Sequence, residues 1–328
     1  MNPAIDAQTL VELLIAQLDE AYVFPDRSAR AAELLRARLE QGSYGDELGP
    51  DLCERISADL LAASEDKHLR LLWHESAAAS RDEAELVAAL REQFRLENHG
   101  VRKIERLPGN VGLIELTLIP ELAEGGATLA AALQLMQHTH ALIFDLRPTR
   151  GGSPDGVAFL ASYLFPDGDI HLSDILDGPQ GTPRQYWTTP YLPGPRYLDR
   201  PAYVLTSAVT FSGGEALAYD LQAHARATII GEPTRGGAHP SQVVSLAEHI
   251  ELRLPIARTI SPITGSNWEG LGVQPDLPTA AAAALDVAYR TALETIAENN
   301  HLPDQSRLEA RQQLGRWRSP TPSSQPGR

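Results

Sequence analysis

The chain has 328 residues, 43% hydrophobic and 22% charged, an ordinary globular composition with length enough for one large domain plus a smaller one. A formal net charge of -15 disfavours nucleic acid and anionic lipid as partners, because like charges repel. The single cysteine, Cys53, excludes an internal disulfide and reads as a small buried apolar residue in a reducing compartment.

The opening segment, MNPAIDAQTLVELLIAQLDE, is acidic and lacks a basic n-region and a small-residue cleavage site. It reads as an amphipathic helix rather than a signal peptide. Leu10, Leu13, Leu14 and Leu18 share its apolar face, and Phe24-Pro25 stops it. Further helices are predicted over 27–39 and 50–63, the latter ending near Ser64-Glu65-Asp66-Lys67-His68, before a short strand, LRLLW. Residues 1–75 are thus expected to form an N-terminal helical bundle. No stretch approaches the roughly 20 apolar residues that span a bilayer, so a cytoplasmic protein without membrane partners is expected.

A connecting helix at 81–96 leads into a region of different pattern. VRKIERL and NVGLIEL read as two strands joined at Pro108-Gly109-Asn110, and an Ala- and Leu-rich helix follows at 125–138. ALIFDL (141–146), AYVLTS (202–207) and ATIIGE (227–232) are apolar runs typical of strands buried on both faces, with helices at 151–165 and 213–224 between them. This alternation predicts an α/β class with a largely parallel sheet. The Gly- and Pro-containing segment 167–200, with Tyr186 and Trp187, reads as a lid or a surface excursion. Strands at 241–246, 249–256 and 258–261 and helices at 279–297 and 303–314 complete a core spanning 76–314. A Pro- and Ser-rich tail, 315–328, is expected to be disordered.

Four segments carry candidate chemistry. In LTSAVTFSGGEALAY a buried strand ends just before Ser212, and a helix opens after it with Gly213 and Gly214. That places a hydroxyl at the positive end of a helix beside backbone N–H groups able to meet a substrate oxygen. The plainer role is an N-cap, and Glu215 three residues on fits a capping box. In DLRPTRGGS, Gly151 and Gly152 form a turn at the carboxyl end of a strand, where ligands bind in parallel sheets. Arg147 and Arg150 lie beside it, suited to a substrate carboxylate or, more plainly, to an ion pair with Asp145 or another carboxylate. Asp66-Lys67-His68 ends a helix, and Glu269 sits in a loop, NWEGLGVQPD; each alone is an ordinary solvated or structural group.

In this order the segments resemble the superfamily of carboxyl-terminal processing proteases, tricorn-core proteases and interphotoreceptor retinoid-binding proteins. The pieces are AYVFPD (21–26), DKHLRL (66–71), GNVGLIEL (109–116), IFDLRPTRGGS (143–153), VLTSAVTFSGGEALAY (204–219), RATIIGEPTRGGAHP (226–240) and WEGLGVQPD (268–276). The resemblance covers residues 10–295 and implies an α/β fold: a Clp protease/crotonase-like spiral core preceded by a helical bundle. Ser212 stands at the nucleophile position. Gly237 replaces the lysine of the processing proteases' dyad, and the roughly 30 residues between the first bundle and the core strands leave no room for a PDZ domain. The match is closer to the tricorn-like and retinoid-binding branch, which implies His68 as general base and Glu269 as its acidic companion. Lys67 stands where the tricorn core has a serine, and an ammonium there is expected to lower the His68 pKa; Thr149 takes an asparagine's place in the DLR motif.

The expected function is therefore a serine peptidase or related acyl hydrolase acting on a peptide or small molecule. Its catalytic residues are Ser212, His68 and Glu269, its oxyanion donors Gly213, Gly151 and Gly152, and its substrate-binding residues Arg147 and Arg150. A non-catalytic binding protein for a retinoid- or fatty-acid-like molecule, or a repurposed metabolite enzyme, is the alternative on the same scaffold. No cofactor or metal is expected: the histidines are scattered, and HExxH, paired CxxC and GxxxxGK[ST] patterns are all absent.

Overall fold

The computed structural model describes residues 5–45, 47–75 and 83–318. In chain order the elements are helices α1 (Ala7–Ala21), α2 (Pro25–Glu40) and α3 (Pro50–Ser64), strand β1 (Arg70–Trp73), helix α4 (Glu83–Leu96), strands β2 (Val101–Leu107) and β3 (Val111–Leu116), helix α5 (Leu122–Met136), strand β4 (Ala141–Asp145) and helix α6 (Pro154–Ser162). Then follow β5 (His171–Asp177), β6 (Thr182–Trp187), β7 (Ala202–Thr206), α7 (Gly213–Ala223), β8 (Thr228–Gly231), β9 (Ser241–Ala247), β10 (Ile250–Pro255), β11 (Ala257–Ile260), β12 (Leu277–Pro278), α8 (Ala281–Glu298) and α9 (Asp304–Arg318). The protein is of mixed α/β class, as the strand–helix alternation predicts.

Two compact units emerge. The first gathers residues 1–93, 172–186 and 237–270, and the second residues 94–171, 187–236 and 271–328. In the first unit, α1 starts at Asp6, whose carboxylate accepts the Thr9 N–H at 2.8 Å, a side-chain cap for an otherwise unsatisfied donor. Pro25 and Pro50 open α2 and α3, where a missing N–H costs nothing. Leu10, Val11, Leu14, Leu18, Leu35, Ile56 and Leu60 form one core with Ile250, Leu252 and Leu254. The three helices therefore share their apolar faces with the antiparallel sheet β1-β10-β9, which comes from both ends of the sequence. Cys53 is buried in this core, and burial pushes its thiol up to about 11, so it is no nucleophile at neutral pH.

A second small sheet, β11-β5-β6, takes two strands from the segment 167–200, whose sequence reads as a lid or surface excursion with no strand assigned. Residues 171–177 and 182–187 are strands, and β5 pairs with β11 antiparallel from Ala257↔Asp177 to Ile260↔Asp174. The mixed polarity of HLSDILD and TPRQYW hides this: β5 is only partly buried and β6 mostly exposed, so both lack the continuous apolar run that marked their neighbours.

The second unit holds the six-stranded sheet β12-β8-β7-β4-β3-β2. Four of its five pairings are parallel, the exception being the β2–β3 hairpin. Every residue of β3, β4 and β7 is buried, as strands covered on both faces require. Ala284, Ala288 and Ala292 repeat every fourth residue along α8, and these small side chains let the helix lie close on Val111, Ile143, Tyr203 and Ile230. α9 continues to Arg318, past the expected end at 314; the tail from 319 lies outside the described residues. No helix among the described residues is long and apolar enough to cross a membrane.

Candidate functional site

The residues singled out in the sequence fall into two groups, each assembled within its own unit. In the second unit, β7 ends at Thr206 and α7 begins at Gly213, with Ser212 between at φ 50° and ψ -115°. A non-glycine residue rarely adopts that conformation, which costs on the order of 1–3 kcal/mol and persists only where neighbours enforce it. Here they do. The Ser212 N–H donates to Glu215 Oε2 at 2.7 Å, the capping-box half expected from sequence. The Phe211 N–H donates to the Thr149 carbonyl at 3.0 Å, and Thr149 Oγ1 in turn donates to the Leu116 carbonyl at 2.6 Å. The altered DLR motif therefore supports the serine turn through a buried threonine.

Glu215 is wholly buried, and its second oxygen, Oε1, accepts the Thr234 hydroxyl and the Gly236 N–H, each at 2.6 Å. Sequence reasoning gave it a capping role alone; the carboxylate also ties the serine turn to the loop after β8. Nothing in the local sequence signals that second tie, because both partners lie about 20 residues downstream.

Gly151 and Gly152 come directly against this turn. Gly152 bridges Ile119 in parallel, with the Ile119 N–H donating to the Gly151 carbonyl and the Ser153 N–H to the Ile119 carbonyl. Extended backbone alternates its polar groups, so the peptide groups of Gly152 face away from Ile119. Gly213 lies on that far side: a Cβ placed on it would stand 2.8–2.9 Å from the Gly152 N, O and Cα atoms. A Cβ on Gly151 would be 3.7 Å from Ser212 Cβ. The N–H groups of a helix's first turn have no acceptor within the helix, which suits Gly213 to an external oxygen. The structure thus brings Ser212, Gly213, Gly151 and Gly152 together.

Arg147 takes the ion pair that was its plainer reading. Its Nε and NH2 atoms donate to the two oxygens of buried Asp145 at 2.8 and 2.6 Å, and NH1 donates to the Ala281 carbonyl at 2.7 Å. With its fork engaged in joining the end of β4 to the start of α8, Arg147 is a structural residue and its substrate-binding role is withdrawn. Arg150 differs. It is exposed and lines a groove of about 640 Å³ with Phe94, Leu96, Asn98, Thr117 and Pro148.

In the first unit, α3 terminates with Glu65 in the left-handed region at φ 56°, turning the chain into Asp66-Lys67-His68. The Asp66 N–H donates to Ser64 Oγ, and Asp66 Oδ1 accepts the His68 N–H at 2.9 Å. His68 Nδ1 is 3.2 Å from Glu269 Oε1. The loop that carries Glu269 is held in turn: Glu269 Oε2 accepts the Ala238 N–H at 2.7 Å, the Glu269 N–H donates to Asn267 Oδ1, and the Trp268 indole donates to the Gly237 carbonyl. The expected pair, His68 and Glu269, is therefore in contact.

Burial is the main cause that lowers the His68 pKa; Asp66 opposes it, while His239, Arg253 and Arg70 add to it. Lys67, expected to be the perturbing cation, is exposed. Two residues join them: Asp66, named in sequence without a role of its own, and His239, which was missed. Asp66, buried, is 3.4 Å from the Nδ1 of buried His239 and accepts the Tyr22 hydroxyl at 3.1 Å. Burial works against its ionisation, but His239 and the His68 N–H hold its carboxyl below the usual range. His239 is two residues past Gly237, in GGAHP; without the fold, one histidine among ten carries no signal.

Comparison with known proteins gives the chain a family. The model of peptidase family S41 matches residues 110–279, a span that includes Ser212, Glu215 and Glu269. The chain belongs to peptidase family S41. It is 28% identical over 213 residues to the chloroplastic carboxyl-terminal-processing peptidase 2 of Arabidopsis thaliana, covering 62% of this chain and 39% of that protein. The chain thus spans about two fifths of the length of that relative. Among solved structures it is similar to a lipoprotein from Streptococcus agalactiae, with a TM-score of 0.60 and 14% identity over 90% of this chain and 99% of that one. It is also similar to the photosystem II D1 C-terminal processing protease, with a TM-score of 0.54 and 17% identity over 84% and 94%. At these identities the structural likeness concerns the fold.

Proposed function

We propose that the protein is a serine peptidase that uses Ser212, His68 and Glu269 in place of a serine–lysine dyad, in the manner of the tricorn-like branch. The observation that carries this reading is the 3.2 Å contact of His68 Nδ1 with Glu269 Oε1. With Nδ1 beside Glu269, Nε2 is the ring nitrogen that the mechanism assigns to the nucleophile, and Gly237 offers no competing lysine base.

In this mechanism, His68 Nε2 takes the Ser212 hydroxyl proton as Oγ attacks the scissile carbonyl. Glu269 accepts from Nδ1 and stabilises the imidazolium. The oxyanion receives N–H groups from Gly213 and from the Gly151-Gly152 turn. His68 then protonates the leaving amine, and a water deprotonated by the same nitrogen cleaves the acyl-enzyme. The reading requires Ser212 Oγ and His68 Nε2 to reach hydrogen-bond distance in the reacting enzyme. The carboxyl-terminal-processing relative supports a polypeptide substrate, and exposed Arg150 is suited to hold a chain's terminal carboxylate.

Fluorophosphonate labelling tests the proposal. Labelling mapped to Ser212, and lost in both Ser212→Ala and His68→Gln, is the expected result. Unlabelled wild-type protein would instead favour the binding-protein alternative, which a tritiated retinoid or fatty-acid titration addresses.

A further inference from the structure

We infer that Asp66, His68, His239 and Glu269 form a binding site for a divalent transition-metal ion, Zn2+ in preference to Mg2+ or Ca2+. One donor atom from each of the four lies within 4.8 Å of all the others. The distances alternate nitrogen and oxygen around the cluster: His68 Nδ1 to Glu269 Oε1 is 3.2 Å, Glu269 Oε2 to His239 Nδ1 is 3.6 Å, His239 Nδ1 to Asp66 Oδ2 is 3.4 Å, and Asp66 Oδ1 to His68 Nδ1 is 3.8 Å. Zinc bonds of about 2.0–2.1 Å in tetrahedral geometry separate neighbouring ligand atoms by about 3.3–3.4 Å. These distances draw on both oxygens of each carboxylate, and one donor atom from each group lies within 4.8 Å of the rest, so modest side-chain movements bring four donors to tetrahedral zinc distances.

A second observation points the same way. The His239 side chain is 4% exposed, and its Nδ1 faces two carboxylates yet makes no hydrogen bond to any described residue. A buried nitrogen that lies 3.4 and 3.6 Å from two carboxylates without hydrogen-bond geometry to either is poorly satisfied, and a cation between them satisfies all three. Two imidazoles with two carboxylates suit Zn2+, whereas Mg2+ and Ca2+ prefer all-oxygen sites. His68 and Glu269 remain partly exposed, at 11% and 16%, which leaves an entry path.

The binding claim stands on this geometry alone. Its consequence rests on the proposed function: metal on His68 Nδ1 displaces the Glu269 contact and makes the imidazole a poorer base, so the metal silences turnover.

The test titrates the full chain with Zn2+ by calorimetry and with Co2+ by visible spectroscopy. One equivalent of either metal and the intense bands of tetrahedral Co2+ are expected. His239→Gln and Asp66→Asn should each weaken binding by more than about tenfold, the low end of what even an outer-shell partner costs. A wild-type protein that takes up neither ion, or uptake unchanged in both folded variants, overturns the site. Stoichiometric binding with fluorophosphonate labelling unimpaired keeps the site and overturns only its inhibitory consequence.

Discussion

The Glu215 carboxylate accepts the Ser212 N–H at 2.7 Å while its other oxygen holds the Thr234 hydroxyl and the Gly236 N–H. Both oxygens are acceptors, and every partner is a donor. Thr234 Oγ1 cannot reverse its role freely, since it already accepts the Val273 N–H at 2.7 Å. Glu215→Gln keeps the shape and replaces one acceptor with a donor, so at least one buried N–H loses its partner in either amide orientation. The expected cost in stability is about 1–3 kcal/mol. The serine's strained φ also loses an enforcing contact, so labelling of Ser212 should slow more than unfolding alone explains. Thermal unfolding with labelling rates on the folded variant checks this; unchanged rates would make Glu215 a plain helix cap.

Gly213→Ala is a steric test of the oxyanion donors. The new methyl would meet Gly152 backbone atoms at 2.8–2.9 Å, and backbone cannot step aside as a flexible side chain can. The two glycine segments must separate by several tenths of an ångström. Loss of a single oxyanion donor typically costs about 100- to 1,000-fold in turnover, and a drop of that order in kcat is expected. A variant with full turnover would show that Gly213 and Gly152 do not jointly serve the oxyanion.

What the sequence disclosed, and what it hid, follows from the range of each signal. Apolar runs such as ALIFD and AYVLT report burial on both faces directly, so the parallel sheet was legible residue by residue. Ser212 with its glycines was legible too, because a strand-to-helix turn is a local event. The strands at 171–177 and 182–187 were not, since neither carries a continuous apolar run. Glu215's second tie, the Arg147–Asp145 pair chosen over a substrate carboxylate, and the approach of His239 to Asp66 across 173 positions all depend on tertiary packing.

Arg147 and Arg150, three residues apart, should behave oppositely. Arg147→Ala removes the partner of Asp145, which is buried at 3% exposure, and an uncompensated buried charge typically costs 3–5 kcal/mol. Its effect should appear in thermal unfolding, with KM of the folded fraction unchanged. Arg150→Ala should leave unfolding within about 0.5 kcal/mol of wild type, as exposed positions generally do. Its KM should rise about tenfold or more for a peptide with a free terminal carboxylate, the loss of one charge-assisted hydrogen bond. The same peptide amidated at its terminus should show no such rise; equal effects on both would remove Arg150 from carboxylate recognition.

Asp220 offers a pH-dependent test of the scaffold around α7. Its side chain is fully buried, neither oxygen has a hydrogen-bond partner among the described residues, and burial raises its pKa well above the usual 3.8. A raised folded-state value means the folded chain retains a proton that the unfolded chain releases near pH 4. The sign follows: stability is full below about pH 4 and declines as pH rises, until the folded carboxyl itself ionises. Asp220→Asn keeps the shape and removes the titration. It should match wild type near pH 4 and unfold at a higher temperature at neutral pH, with the gap widening as pH rises until the folded carboxyl ionises. Melting curves across that range check the direction. A gap that stayed constant with pH would mean that Asp220 ionises alike in both states, and that a solvated or paired carboxylate stands where burial now predicts a neutral acid.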